Sequence, residues 1–314
     1  MAGFKKLLLA SLALLGLLVL AGCEDGFPDA GDESKPGPVA ASAPTEPSEA
    51  SKALTRYYAR LENDLLAQGL LRVDGGGVDT PYTDTDLLRN FERLAFFEEY
   101  QRNGGLAPSD GLPGRLSRWV KPIRLSVEFG PNVPKEMQVQ DRKNIRNYVA
   151  RLSRVTGHPM IVTQINPNFT IMIMSNDDAT EAQTRALELM PWLAETNLVF
   201  FSNLPRSIQC FVIGAGTRNE HELDVAVAYI RSENRNLQRL ACIHEEIAQG
   251  LGLANDSSRA RPSIFNDDDE FALLTSHDEV LLRTLYNPLL KPGMSLEEAR
   301  PILRRIFAET SGSS

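Results

Sequence analysis

Cysteine is scarce, with three in 314 residues, too few for a fold built on disulfides. Histidine is nearly as sparse. His158, His221, His244 and His277 are the only four and none are paired at helical spacing, so only the fold could assemble a three-histidine metal centre. No lysine–arginine cluster or aromatic-basic stripe occurs, and 41 acids against 33 basic residues leave a formal charge of −8. Nucleic acid is excluded as a partner on that balance. There is no internal repeat and no Gly-x-Ser-x-Gly elbow, so Ser263 and Ser276 lack the setting of a serine nucleophile despite nearby acids and His277. Gly214-Ala215-Gly216 is too short for a phosphate loop. The acid run Asn266-Asp267-Asp268-Asp269-Glu270 lacks the glycine and ligand spacing of a calcium loop, and reads as a solvated loop.

The one long apolar run is residues 7–20, shorter than the roughly 20 residues of a membrane span. Lys5 and Lys6 precede it and Leu20-Ala21-Gly22-Cys23 follows, which together are the parts of a secretory signal. Leu-Ala-Gly-Cys resembles the bacterial lipobox. That resemblance implies cleavage before Cys23, diacylation of its thiol and acylation of the new amino terminus; the alternative is a plain secretory signal. Cleavage removes two lysines and no acid, taking the formal charge from −8 to −10. Residues 23–50 are then a lipidated cysteine and a tether of Pro, Ala, Ser, Gly and acids that cannot bury enough apolar surface to order. The expected location is the cell envelope, held to a membrane by lipid and facing the periplasm or the exterior. In such an oxidising compartment Cys210 and Cys242 are candidates for one disulfide, or else two buried thiols.

Periodicity predicts helices over residues 51–71 and 84–102, the second stopped by Asn103-Gly104-Gly105. These form an expected helical subdomain, residues 51–115. From Trp119 the texture changes. Strands are predicted over 122–129, 160–165, 169–174, 208–213 and 225–230, and helices over 139–155, 180–193 and 236–250. The order implies an α/β or α+β domain, residues 116–310, with a twisted mixed sheet.

The stretch Cys-Ile-His-Glu-Glu-Ile-Ala-Gln-Gly-Leu-Gly-Leu-Ala-Asn-Asp, residues 242–256, carries the chemistry. A zincin helix starting at His244 would need a second histidine at Ala248, which cannot bind metal. One residue later, Glu245-Glu246-x-x-Gln249-x-x-Gly252-x-x-Asn255 has the spacing His-Glu-x-x-His-x-x-Gly-x-x-His. This resembles the metzincin peptidases, the matrixin group above all. Glu246 stands at the base position and Gly252 at the turn, while Glu245, Gln249 and Asn255 replace the three metal ligands. Downstream, residues 261–266 look like the family's tight turn, with Phe265 where methionine is expected, and residues 274–287 look like its last helix. The resemblance spans about residues 119–286, with 176–206 as an insertion. Lipobox and helix motif together are similar to a family of bacterial lipoproteins of unknown function.

The resemblance implies a metzincin-like fold without its zinc chemistry. Gln249 and Asn255 offer neutral amide oxygens and Glu245 one carboxylate, whereas zinc prefers nitrogen and sulfur. Without a metal nothing lowers the pKa of a water to about 7, and Glu246 as a lone base supplies only about 10²–10⁴-fold. Two arrangements are open: a metal-free polar network of Glu245, Gln249 and Asn255, or a divergent metal site recruiting His244, His221, Asp256 or His277. The expected role is a non-catalytic domain with no cofactor, binding a peptide or envelope protein. The alternative is a metal-dependent hydrolase, with zinc as cofactor and Glu246 as base.

Overall fold

A computed structural model describes residues 46–97, 111–192 and 204–311. The expected signal peptide, Cys23 and all but the end of the tether lie outside them. All that follows concerns one compact unit, Ser42–Ser314.

Seven strands are described: β1 (Arg118–Trp119), β2 (Ile123–Phe129), β3 (Met160–Val162), β4 (Phe169–Met174), β5 (Cys210–Ala215), β6 (Glu222–Leu223) and β7 (Val225–Arg231). Five form a mixed sheet in the order β3-β2-β4-β7-β5, and β1 pairs with β6 in a separate two-stranded ribbon. Only β5 runs antiparallel to its neighbour in the five-stranded sheet. Phe-Thr-Ile-Met-Ile-Met becomes the central strand β4, buried at all six positions, because a strand covered on both faces has no polar side to alternate with. Phe169, Ile171 and Ile173 face the main core, while Met172 and Met174 join a second cluster with Ala182 and Ala186. Both faces of the sheet are therefore covered and the molecule is mixed α/β.

Seven helices are described: α1 (Glu49–Ala67), α2 (Asp84–Phe96), α3 (Lys135–Thr156), α4 (Ala179–Leu189), α5 (Asn236–Gln249), α6 (Ser276–Leu285) and α7 (Leu296–Ser311). Helix α4 covers the Met172 side of the sheet, while α2, α3, α5, α6 and α7 contribute to the main core. Trp119 donates Nε1–H to the Gly250 carbonyl at 2.8 Å and stacks on Phe169. Arg118 donates to the carbonyl of Leu285, which the end of α6 leaves open, and to that of Leu290 in the chain beyond it.

Several predicted boundaries move. Helix α2 stops at Phe96, not 102, with Phe97 extended beneath the Arg93 guanidinium; the Asn103-Gly104-Gly105 stop lies outside the described residues. Strand β3 ends at Val162 rather than 165, since Asn166 takes a left-handed φ of 46° and Ile165 N–H turns back to Thr163 Oγ1. Helix α4 ends at Leu189, before 193, because Met190 precedes Pro191 and is pushed out of the helical region. Strand β5 is displaced to Cys210–Ala215 from 208–213 by its pairing with β7. Helix α7 was missed, although Ala299, Leu303 and Phe307 bury one face of it; Pro301 inside it masks the pattern.

Helix α5 is held from several sides. Its N-cap position, Arg235, makes no side-chain cap, but Glu62 of α1 accepts the Gln238 N–H at 3.0 Å, an acid where the helix dipole favours one. Arg239 and Asp141 of α3 form a buried ion pair at 2.7 Å. Cys242 is bonded to Cys210, Cα to Cα 5.9 Å across 32 residues, tying α5 to β5. A loop of this length makes the disulfide worth about 3–4 kcal/mol through the unfolded chain. The Cys210→Ser/Cys242→Ser double variant should lose about that much in urea unfolding, and reductant should bring the parent protein to the same midpoint.

Candidate functional site

Gln238, Cys242, Glu245 and Gln249 follow one another at three- and four-residue steps, so one face of α5 presents them together. That face forms a wall of a pocket of about 200 Å³, closed by Asp256 and Asp269 and by apolar side chains that include Leu71, Ile208 and Phe211. At about 30 Å³ per water this is room for one side chain rather than a folded segment. Glu246 and Gln249 are buried and Glu245 half-buried. Oxygens of the Glu245 and Glu246 carboxylates lie within 4.8 Å of one another and of the Cys210 sulfur. Gln249 donates Nε2–H to Asp256 Oδ1 at 2.8 Å, which holds Asp256 in the wall.

Only part of the motif converges. Glu245, Glu246 and Gln249 share the pocket with Asp256. Asn255 does not join them, because it donates to the Arg93 carbonyl of α2 at 3.1 Å. Gly252 is at φ 125°, where a Cβ would be driven into the Ser117 carbonyl, so the turn after α5 requires glycine. Phe265 is fully buried in the main core. His244 lies on the opposite side of α5, its ring stacked on Tyr148 at 3.8 Å and its Nδ1 accepting from Leu274 N–H at 3.1 Å. His277 is sealed between Asn90, Asp278 and the Tyr82 ring. His221 neighbours Ser117 and Glu220, and His158 faces the Lys121 carbonyl and Tyr286. None of the four lines the pocket.

Zinc does not fit this donor set. The pocket offers carboxylates and carboxamides with no imidazole, and the one nearby pair of sulfurs is a disulfide with no thiolate to give. One of the three ligand positions, Asn255, faces α2 instead.

Gln238 and Asp269 line the pocket although no sequence motif singles them out. For Gln238 the signal was available, since it stands seven residues before Glu245 on the same helical face. Asp269 belongs to the acid run expected to be a solvated loop. It is exposed at the rim, yet it lines the pocket because Leu71 N–H bonds its carbonyl and Arg72 N–H bonds that of Glu270. Loss of water and the neighbouring Asp268 and Asp267 push its carboxyl up. Glu270 is drawn outward by Arg261 and Arg72, which hold its carboxyl below the usual range.

Residues 84–305 match a family described as protein of unknown function (DUF2927). No curated protein and no solved structure matches the chain.

Burial, and then the Arg151 charge, push the His244 ring down to about 3, so it stays neutral in the folded state. The unfolded ring takes up a proton near pH 6.5. This group's stability is therefore fully present above about 6.5 and is lost as pH falls toward about 3. In urea unfolding between pH 7 and pH 4, His244→Phe should flatten the loss by up to one proton, about 1.4 kcal/mol per pH unit.

Proposed function

We propose, for a chain that belongs to the DUF2927 family of proteins of unknown function, the role of a lipid-anchored envelope protein that binds a partner without cleaving it. The observation that carries this reading is the pocket on α5. Its acids and carboxamides stand where a zinc peptidase would gather imidazoles, and every described histidine is engaged elsewhere. Such walls recognise a polar or charged group. They do not offer the imidazole set that holds the catalytic zinc of a metzincin.

The order of α5, the Gly252 turn, the Phe265 turn and α6 supports kinship with metzincins whose metal chemistry has been replaced. The disulfide suits an oxidising compartment. No described helix is long and apolar enough to cross a membrane, and the anchor in this reading is lipid on Cys23. Several acyl chains, at about 0.8 kcal/mol per buried methylene, hold a protein stably.

The competing reading, a metal-dependent hydrolase with Glu246 as base, draws on the approach of Glu245 and Glu246 within 4.8 Å. Elemental analysis of the purified protein separates the two. The expected result is no stoichiometric zinc and no cleavage of an unfolded protein substrate. One zinc per chain, lost in Glu245→Ala, would make the protein a metalloenzyme and sink the binding reading. Labelled palmitate should be incorporated in the producing bacterium and lost in Cys23→Ala; equal labelling of the variant would place the lipid elsewhere.

A further inference from the structure

We infer that the outer face of α3, together with the adjoining end of α6, is the surface that lies on an anionic lipid bilayer. The inference rests on the lipid-anchored reading above and goes beyond it, by saying which side of the domain meets the membrane.

Helical spacing assembles the surface. Val139, Lys143, Arg146, Ala150 and Arg154 recur at three- and four-residue steps on α3, and all five are exposed. The stripe is about 22 Å long at 1.5 Å per residue. In sequence the cations are interleaved with neutral residues, and the helix gathers them onto one side. From Arg142 to Ser175 the chain carries five arginines and lysines and no acid.

Helix α6 extends the surface. Arg151 of α3 pairs with Glu279 of α6 at 2.8 Å, and the rings of His158 and Tyr286 meet at 4.9 Å. The second contact lies seven residues after the first in both segments, so the two helices run side by side in the same direction. Between those contacts stand Arg154 on one helix and Arg283 on the other, both exposed. Lys121 is brought to the same end, because His158 Nε2–H donates to its carbonyl at 2.8 Å.

The charges are not compensated locally. No acid lies within 4.0 Å of the Lys121, Lys143, Arg146, Arg154 or Arg283 side chains among the described residues. Glu279 is spent on Arg151, and Asp141 is buried against Arg239. Glu136 stands at the amino-terminal end of the stripe, next to Lys135.

Charge complementarity selects the partner. A formal charge of −8 opposes capture of a dissolved polyanion. A bilayer to which the chain is already fastened needs to meet only one face, and at a Debye length of about 8–10 Å acids on the far side are screened. Each cation near an anionic surface favours contact by about fivefold, and tethering makes the contact intramolecular, so a modest total suffices. The 25 residues from Cys23 to Ser48 span at most about 85 Å, which lets any face reach the bilayer. Val139 and Val120, 70% and 46% exposed, adjoin the cations and supply apolar groups to an interfacial contact.

The test places the lipidated full chain in vesicles of phosphatidylcholine, alone or mixed with phosphatidylglycerol. A fluorophore on Ala150→Cys reports contact through quenching by brominated lipid. Cys210 and Cys242 are bonded to each other and Cys23 carries lipid in this reading, so the introduced thiol is labelled alone. Quenching should be at least about threefold greater in the phosphatidylglycerol vesicles. It should fall to the phosphatidylcholine level in concentrated salt and in Lys143→Glu/Arg146→Glu/Arg154→Glu. The corresponding glutamine variant should fall part of the way, and both should keep the parent's urea midpoint because all three residues are exposed. Equal quenching in the two kinds of vesicle, or quenching that survives the charge reversal, overturns the inference. So does stronger quenching of a label at Thr180→Cys, exposed on α4 across the sheet, which would put the other side on the membrane. Any of these failures leaves palmitate labelling at Cys23 standing, whereas a chain without that label overturns the anchored reading itself.

Discussion

A carboxylate with no access to water ties the turn at 261–266 to the start of α6. Asp278 is fully buried and accepts from Ser263 Oγ, Ile264 N–H, Thr275 N–H and Thr275 Oγ1, at 2.6 to 3.1 Å. An ion in that position is tolerable only when its oxygens are saturated by donors. Those donors come from two places at once, the turn at 261–266 and the cap of α6. The saturation of one side chain therefore closes the turn and starts the helix. Phe265 and Ile264 are thereby delivered into the core that also holds Ile243 and Ile247 of α5. The pocket stands on this floor, for α5 can present a polar face outward only because its other face is fixed from below.

Helix α5 accordingly serves two purposes that conflict elsewhere in proteins. Its core side is packed and its histidine is spent on structure, stacked on Tyr148 and bonded to the chain at Leu274. Its other side keeps two acids, two carboxamides and a disulfide around a space that the described residues leave open. The Gln238 carboxamide, buried with no hydrogen-bond partner among the described residues, subtracts from stability. The Arg239–Asp141 pair, the covalent tie to β5 and the cap from Glu62 are the restraints that keep the helix in place regardless. Stability withheld at a site and recovered around it is the usual signature of a surface shaped for a ligand.

Much of the scaffold was legible in the chain, and for local reasons. Strand β4 is a bounded apolar run, α3 ends at Gly157 in the left-handed conformation, and α6 opens with the capping box of Thr275 and Asp278. Each of these signals is carried by a few neighbouring residues. The spacing Glu245, Glu246, Gln249, Gly252 fixed the helix and its turn for the same reason, and the pairing of Cys210 with Cys242 followed from there being so few cysteines. The membership of the pocket was not legible. Asn255 leaves it because a carbonyl of α2, some 160 positions earlier, competes for its amide. Asp269 enters because the segment at Leu71 and Arg72 pairs with residues 269–272. Contacts between distant segments decide both, and no local pattern encodes them. Helix α7 was hidden differently, by a proline inside an otherwise regular stripe.

The cap that Glu62 places on α5 also makes a route for mechanical load. Tension arriving along the chain from its amino-terminal side reaches α1 at Ser48, which is itself clamped to Asp177. From α1 the pull passes through Ser51 to Glu233 and through Glu62 to Gln238, a residue that lines the pocket. The family match begins only at residue 84, so α1 lies ahead of it. In this protein the first helix nonetheless connects the end that would be held by the membrane to the wall that would meet a ligand. Ser51 to Glu233 and Gln238 to Glu62 are two contacts through which a displacement of α1 would reach that wall.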